Sequence, residues 1–385
     1  MIYKNALIIT SNSSFIGFIE IDDAGIVLSI LPGNTDKEAV DCNGQIIMPG
    51  FIDSHTHGGY GMAFDDLGEK SFNEAYLNYL TNLVKEGVVA FAGTTVTSTL
   101  EKLEKSSLLI NDLSKQNPKL PKLSAWYYEG PFISKVKKGA HEEKLIIPIN
   151  EPFLKTIKKN VAIPVVITVA PEIDKNIELI KKYGDDFIFA LGHSNANFEE
   201  SKESLENGIT RITHLYNAMS GFHHHDLGIV NAIFNKEYED NLNIEIIADG
   251  VHVDDEVIRY SYKNLDIKNI SIVSDSLPPK GYKDGKYKLG NLPIDKKGNW
   301  FYLEGTSTLS GGACPYIFLV NHFKKATNCS WQDLVKVSSY NAARNLGLES
   351  NYGDIVLGKK ANIVFLSYED EMQYVQSYID GNLLK

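Results

Sequence analysis

The sequence contains little cysteine and little arginine. Three of its 385 residues are cysteines, and they are widely spaced. This number and spacing exclude a disulfide framework and a CxxC zinc site, and they predict a protein of the reducing cytoplasm. Only three of the 38 basic residues are arginines, Arg211, Arg259 and Arg344. Few side chains are therefore available to bind a phosphate group in a bidentate manner.

A positive net charge and a long apolar run are also absent. The 49 acidic and 38 basic residues give a net charge of -11, so no general positive field would attract nucleic acid or an anionic membrane. No stretch approaches the roughly 18 apolar residues of a membrane span. The apolar part of the N-terminal MIYKNALIITSNSS is too short for a signal peptide. We expect a cytoplasmic protein that binds neither nucleic acid nor membrane, with a local pocket for any anionic substrate.

The length of the chain and the changes in its pattern of apolar residues predict two domains. Residues 1–49 and 347–385 contain short alternating runs broken by turn residues, and we expect both ends to combine into one small β-sandwich. The strand candidates there are Ala6–Thr10, Phe15–Ile21, Ile26–Leu31, Asp354–Leu357, Asn362–Leu366 and Tyr374–Ile379.

Residues 50–346 alternate apolar runs with amphipathic segments, which is typical of α/β proteins with βα units around a parallel sheet. Eight strands are predicted, at Phe51–Ser54, Val89–Thr97, Leu123–Tyr128, Pro164–Val169, Phe187–Leu191, Ile209–Thr213, Ile244–Ile247 and Ile270–Ser274. Eight such units favour a TIM-like (β/α)8 barrel, with a doubly wound sheet as the alternative.

Nine of the ten histidines lie in or just after the predicted strand ends, where barrel enzymes build their active sites. His55 and His57 follow the first strand. Residues i and i+2 of an extended chain face the same side, so both imidazoles can reach one metal ion. The alternative is a pair of surface histidines in a polar loop.

Further candidate ligands follow other strands. Glu129 ends the third strand, while His193 and His214 follow the fifth and sixth, and one glutamate with two histidines and water makes an open catalytic metal site. Asp275 follows the eighth strand and is suited to act as general base and then as general acid. Taken singly, each ligand could be a hydrogen-bonded barrel residue, and Asp275 could cap a turn.

At these residues the chain resembles the N-acetylglucosamine-6-phosphate deacetylases of the amidohydrolase superfamily. The matching segments run in order over nearly the whole chain: Met48–Gly59, Glu129–Phe132, Lys138–His141, Ala170–Glu172, Gly192–Ser194, Thr213–Met219, Asp249–His252, Ser274–Asp275 and Gly358–Asn362. The string THLYNAM and the pair EGP…KGAH are specific to these deacetylases.

The resemblance implies a role for each matched residue. Glu129, His193 and His214 would hold a primary divalent metal, and His55 with His57 would form a second metal site that only some members possess. Asp275 would be the catalytic base and acid. His141 would be catalytic and, together with His252, Asn217 and Ala218, would bind the substrate.

One departure from the family pattern concerns the phosphate. Relatives commonly carry an arginine a few residues after the NAM string, and this arginine binds the sugar phosphate. Residues 220–228 of this chain contain no arginine, and His225 occupies the corresponding position. His225 could bind phosphate, or the substrate could lack one, or a lysine of a neighbouring subunit could meet it. His223 and His224 could simply cap a loop.

The sequence therefore predicts a deacetylase of N-acetylglucosamine 6-phosphate. The alternatives are the same reaction on N-acetylgalactosamine 6-phosphate or an unphosphorylated sugar, ring opening of a cyclic amide, and a non-catalytic sugar-binding barrel. Zinc is the expected metal, as one or two ions, and iron, manganese or cobalt would suit the same ligands. A homodimer is implied by the resemblance alone.

Overall fold

The computed structural model describes residues 1–235 and 242–385. Its strands in chain order are β1 (Ile2–Ile9), β2 (Ser14–Ile21), β3 (Val27–Pro32), β4 (Val40–Asp41), β5 (Ile46–Pro49), β6 (Phe51–Thr56), β7 (Gly58–Gly59), β8 (Met62–Ala63), β9 (Val88–Thr95), β10 (Lys122–Glu129), β11 (Val165–Val169), β12 (Ile188–Leu191), β13 (Ile209–Ile212), β14 (Asn243–Ile246), β15 (Ile270–Ile272), β16 (Gly285–Leu289), β17 (Leu292–Lys297), β18 (Trp300–Leu303), β19 (Leu309–Gly312), β20 (Ile363–Tyr368), β21 (Met372–Ile379) and β22 (Asn382–Leu384).

The described helices alternate with the central strands. The α-helices are α1 (Phe72–Lys85), α2 (Leu100–Ser107), α3 (Ile110–Leu113), α4 (Glu151–Asn160), α5 (Asn176–Tyr183), α6 (Phe198–Glu206), α7 (Ile229–Phe234), α8 (Asp255–Asn264), α9 (Tyr316–Thr327), α10 (Trp331–Val335) and α11 (Asn341–Asn345). Short 3-10 turns lie at Phe64–Asp66, Lys135–Lys137, Glu143–Leu145 and Ile267–Asn269, and a π-helical turn, Lys336–Tyr340, joins α10 to α11. None of these helices is long and apolar enough to cross a membrane.

Strand β6 and strands β9 to β15 form one parallel sheet in which every strand lies beside its successor in the chain. The sheet closes where β15 returns to β6, because the amide of Asp275 donates to the carbonyl of His55 and the amide of His57 donates to the carbonyl of Ser276, both at 2.9 Å. A barrel with helices between its strands confirms the predicted TIM-like fold. The doubly wound alternative is wrong, since the order of strands never reverses.

Local sequence signals explain these elements. Strand β9 reads VVAFAGTT and is buried throughout, as expected of a parallel strand covered on both faces. Asn197 and Glu200 form a reciprocal capping box at the start of α6. After α1, Gly87 turns the chain with a φ of 78°, a conformation that glycine adopts without strain.

The two ends of the chain meet in one mixed sheet. Its strands follow the order β22-β21-β20-β5-β1-β2-β3, and β4 pairs with β1. Strand β5 ends at Pro49, and one residue separates it from the first barrel strand, β6. The division into domains at residues 49/50 and 346/347 stays a prediction. The prediction of a strand at Asp354–Leu357 is wrong. Glycines with positive φ flank this segment, and the Asp354 carboxylate accepts hydrogen bonds from the amide and the hydroxyl of Ser11.

A four-stranded antiparallel sheet, β16 to β19, follows the last barrel strand and was not predicted. Gly312, at the end of β19, exchanges backbone hydrogen bonds with Asp275 and Leu277. Leu277 packs with Leu289 and Phe301 of this sheet and with Val96 of the barrel. The insertion therefore stands at the C-terminal mouth of the barrel.

Candidate metal centre

Five barrel strands deliver the predicted site side chains to one place. His55 is the fifth residue of β6 and His57 follows that strand. Glu129 is the last residue of β10. The other three come just after their strands: His193 after β12, His214 after β13 and Asp275 after β15. The carboxyl ends of parallel barrel strands meet at one mouth, so these six side chains converge.

Three of these residues leave their strands with a left-handed backbone. The φ angles are 45° for His193, 27° for His214 and 46° for Asp275. Such angles are costly for residues other than glycine, and strain of this kind concentrates at functional sites. Here it accompanies the turn of each side chain into the mouth of the barrel.

The first donor group consists of Glu129, His193 and His214, all buried. Glu129 Oε1 lies 3.1 Å from Nε2 of His193 and 2.8 Å from Nε2 of His214. The two imidazole nitrogens are 3.1 Å apart. Three ligand atoms at these separations can hold one metal ion.

The second donor group consists of His55, His57, Glu129 and Asp275, also buried. His57 Nε2 lies 3.0 Å from Glu129 Oε2 and 3.1 Å from Asp275 Oδ1. His55 Nε2 lies 3.6 Å from Glu129 Oε1 and from Asp275 Oδ1. The two groups share Glu129, whose carboxylate lies between them.

Electrostatics keeps both carboxylates ionised. Burial raises the pKa of the Glu129 carboxyl, but the imidazoles of His55 and His193 outweigh burial and hold the pKa well below its ordinary value. Burial also raises the pKa of Asp275, and the hydrogen bond from His57 together with the His55 charge brings it below its ordinary value. Both groups are therefore available as negatively charged ligands or bases at neutral pH.

Hydrogen bonds at the far ring nitrogens orient two of the histidines. His193 Nδ1 donates to the carbonyl of Lys137 at 2.9 Å, and His55 Nδ1 donates to Glu245 Oε2 at 2.8 Å. Once the proton on Nε2 is lost, each ring presents the lone pair of that nitrogen to the cluster, the arrangement found for ligating histidines. His55 Nε2 has no hydrogen-bond partner among the described residues although it is buried. These observations fit a divalent metal ion with imidazole and carboxylate ligands.

His141 lies beside the cluster as a neutral donor. The backbone N–H of Thr97 donates to His141 Nδ1 at 3.2 Å, so the ring proton resides on Nε2, 3.4 Å from Glu129 Oε2. Burial lowers the pKa of His141 to about 4, against the opposing effect of Glu129. The ring is thus uncharged at neutral pH and directs an N–H into the site.

His252 is held by a carboxylate that the barrel insertion also contacts. His252 Nδ1 donates to Asp249 Oδ2 at 2.7 Å, and Trp300 Nε1, on β18, donates to the same oxygen at 3.1 Å. His252 Nε2 is buried and has no partner among the described residues. The insertion therefore helps to fix the ring of His252 from behind.

A cavity of about 400 Å³ opens above the two donor groups. Nine predicted site residues line it: His57, Glu129, His141, His193, His214, Asn217, Ala218, His252 and Asp275. The insertion contributes Leu289 and residues 307–311 to the lining. Lys137 is the only lysine among the described residues that line the cavity. His55 is fully buried and does not line the cavity.

His225 lies elsewhere. It is exposed on the loop before α7 and does not line the cavity. His223 Nδ1 accepts the backbone N–H groups of His225 and Asp226 at 3.3 and 2.8 Å, so His223 caps this loop. A contact of His225 with a substrate stays a prediction, and within one chain the structure does not bring it to the other site residues.

Sequence reasoning missed several contributors to the site. Arg211 and Glu245 lie behind His55, Thr97 holds His141 and Asp249 holds His252. A charged residue inside a predicted barrel strand was the available signal for Arg211 in ITRIT and for Glu245 in IEII. Thr97 and the residues of the insertion carry no such signal.

Comparison with known proteins places this geometry in a family. The model of the amidohydrolase family matches residues 46–384. The N-acetylglucosamine-6-phosphate deacetylase of Bos taurus is 33% identical over 356 residues, 90% of this chain and 85% of the relative. That of Bacillus subtilis is 31% identical over 385 residues, 97% of this chain and 94% of the relative. The crystal structure of the deacetylase from Thermotoga maritima superposes with a TM-score of 0.87 at 33% identity, covering 100% of this chain and 99% of the other. The chain therefore belongs to the amidohydrolase family and, within it, to the N-acetylglucosamine-6-phosphate deacetylases.

Proposed function

We propose that this protein hydrolyses the acetamide of N-acetylglucosamine 6-phosphate to glucosamine 6-phosphate and acetate. The observation that carries the proposal is the pair of buried donor groups that share Glu129. The Asp275 carboxylate of the second group contacts His57 Nε2 and lines the cavity. Relatives of that name at more than 30% identity over most of the chain support the choice of substrate.

Two sets of residues would hold metal. We assign Glu129, His193 and His214 to a first divalent ion, and His55, His57 and Glu129 to a second, with zinc as the first expectation. A divalent ion bound by such ligands supplies Lewis acidity and lowers the pKa of water toward neutral.

Asp275 is the proposed base and acid. Its carboxylate accepts one proton from the water whose oxygen attacks the acetamide carbon. When the C–N bond of the tetrahedral intermediate breaks, the same proton passes from Asp275 to the departing nitrogen. The products are the amine and acetic acid, which gives up its proton to become acetate, and Asp275 returns to its ionised form.

His141 is the proposed donor to the developing oxyanion. Its neutral ring directs Nε2–H into the cavity, and Thr97 fixes this tautomer by occupying Nδ1. A donor fixed before the reaction stabilises charge that appears only in the transition state. We assign His252, Asn217 and the backbone of Ala218 to the sugar, because all three line the cavity beside the donor groups.

The phosphate needs a cation, and Lys137 is the proposed one within the chain. It lines the cavity, while its carbonyl holds His193. We further propose a homodimer in which the exposed His225 of a second copy reaches the phosphate, and a cytoplasmic location consistent with three reduced cysteines. Sedimentation of the purified protein tests the dimer, and a monomer would contradict it.

Amine release from N-acetylglucosamine with and without the 6-phosphate tests the substrate. We expect metal-loaded protein to prefer the phosphorylated sugar, and chelated protein to be inactive on both. N-acetylgalactosamine 6-phosphate, assayed alongside, tests the epimer. Equal turnover of the plain sugar would contradict the phosphate preference, and no turnover of any of the three by metal-loaded protein would reject the proposed function.

Substitution of Lys137 by alanine tests the phosphate contact. A hydrogen bond to a charged group contributes roughly 1.5–3 kcal/mol, so we expect KM for the phosphorylated sugar to rise by about 10- to 100-fold. The KM for the plain sugar should not change. Lys135→Ala is the control, since Lys135 lies exposed in the same turn and does not line the cavity. Equal KM changes for both sugars would contradict a phosphate contact.

A further inference from the structure

A buried ion pair lies directly behind the second donor group. Arg211 Nε donates to Glu245 Oε1 at 2.6 Å, and neither side chain has any solvent exposure. Arg211 also donates to Ser54 Oγ and to Asn345 Oδ1, both at 2.5 Å. Acceptors on three residues thus hold the guanidinium of Arg211, and the guanidinium in turn holds the Glu245 carboxylate in one orientation.

The other oxygen of Glu245 faces the metal ligands. Glu245 Oε2 accepts the ring N–H of His55 Nδ1 at 2.8 Å and the backbone N–H of His214 at 3.1 Å. A neutral imidazole carries one ring proton, so the hydrogen bond at Nδ1 leaves the lone pair on Nε2. His55 Nε2 is buried without a hydrogen-bond partner in the described part of the chain, and it points between Glu129 and Asp275.

We propose that the Arg211–Glu245 pair positions His55 as a metal ligand and thereby determines whether the chain binds a second ion. The proposal rests on the proposed function, because it concerns the same metal centre. Arg211 and Glu245 touch no substrate and are positioning residues. His57, the other imidazole of the second group, has no partner at Nδ1 among the described residues, so His55 is the one imidazole of this group that is held at its far nitrogen.

A role in folding alone does not explain the pair. Barrel interiors are usually filled by bulky apolar side chains. A fully buried ion pair loses the hydration of both charges, and apolar residues of similar volume are often equally stabilising or better. What an apolar pair could not provide is an acceptor for His55 Nδ1. A carboxylate at that position fixes both the tautomer and the orientation of a ligating histidine.

The Glu245→Gln variant tests the proposal with little change in volume. Its amide has one oxygen, and the charged Arg211 competes for it. The NH2 group then faces His55 Nδ1, which favours the tautomer protonated at Nε2, and that tautomer cannot bind metal. Glu86→Gln is the matched control, because Glu86 forms an equally buried ion pair with Lys280, at 2.7 Å, away from the ligands.

Metal uptake is the readout. Metal-free protein is titrated with Zn²⁺, the bound metal per chain is measured by elemental analysis after gel filtration, and thermal unfolding is recorded in parallel. We expect two ions per chain in the unaltered protein and in Glu86→Gln. In Glu245→Gln we expect the affinity for the second ion to fall by about 10- to 100-fold, the usual effect of losing a partner of a ligating residue.

A double variant separates positioning from stability. Arg211→Met combined with Glu245→Leu removes both charges, so we expect a midpoint of thermal unfolding near that of the unaltered protein. Its second ion should nevertheless bind as weakly as in Glu245→Gln. A second ion bound at unaltered affinity in either variant, or a single ion in the unaltered protein, would overturn the proposal. Amine release is measured separately, so the absence of deacetylation with two bound ions would reject the proposed function and leave this inference intact.

Discussion

Replacing Glu129 by glutamine is expected to abolish turnover and to remove both metal ions. Glu129 Oε1 contacts the two histidines of the first group, while Oε2 contacts His57. An amide offers one oxygen, and its NH2 group cannot bind a metal ion. Both groups lose the carboxylate that they share, and we expect kcat to fall to the level of metal-free protein, with less than one ion per chain by elemental analysis.

The Glu129 result is interpreted against Glu86→Gln, which alters a glutamate of equal burial outside the site. That control should keep its ions and its kcat, although its midpoint of unfolding should fall because Lys280 loses its partner. Two bound ions and a kcat within tenfold of the unaltered protein in Glu129→Gln would contradict the shared-ligand role.

The Asp275→Asn variant is expected to lower kcat by about 10²- to 10⁴-fold, the range typical of a lost general acid–base group. Asparagine has nearly the same shape but cannot take up the proton of the attacking water or return it to the departing nitrogen. The first ion should stay bound, because Asp275 belongs only to the second donor group. Rates and bound metal are measured on the same preparation.

The comparison that decides the role of Asp275 is with His55→Ala, which also weakens the second group but leaves the proposed base in place. If loss of the second ion alone caused the defect, both variants would lose kcat equally. A larger loss in Asp275→Asn is the expected result for a proton-transfer role. A kcat of Asp275→Asn equal to that of the unaltered protein would exclude this role.

Most of the barrel could be predicted from the chain. Apolar runs such as β9, separated by amphipathic segments such as α1 and α5, have the repeat of βα units, and the eight predicted strands correspond to the eight of the barrel. The position of the candidate donor residues was also predictable, because residues near or just after the end of a strand lie at its carboxyl end, and residues i and i+2 face the same side. His225 shows that position after a strand does not by itself place a residue at the mouth: it follows the sixth barrel strand in sequence but lies on an exposed loop outside the cavity of its own chain, and its contact with substrate stays a prediction.

Sequence alone determined the fold class, the candidate donor residues of the metal centre and the end of the barrel at which they lie. These features follow from local periodicity and from residue types close to one another in the chain. Only the tertiary structure decided that Glu129 lies between both donor groups, that Asp275 meets His57 across the closing seam, and that Arg211 and Glu245 stand behind His55. Those contacts join residues on different strands, so they depend on strand register and barrel closure, which local sequence patterns do not encode.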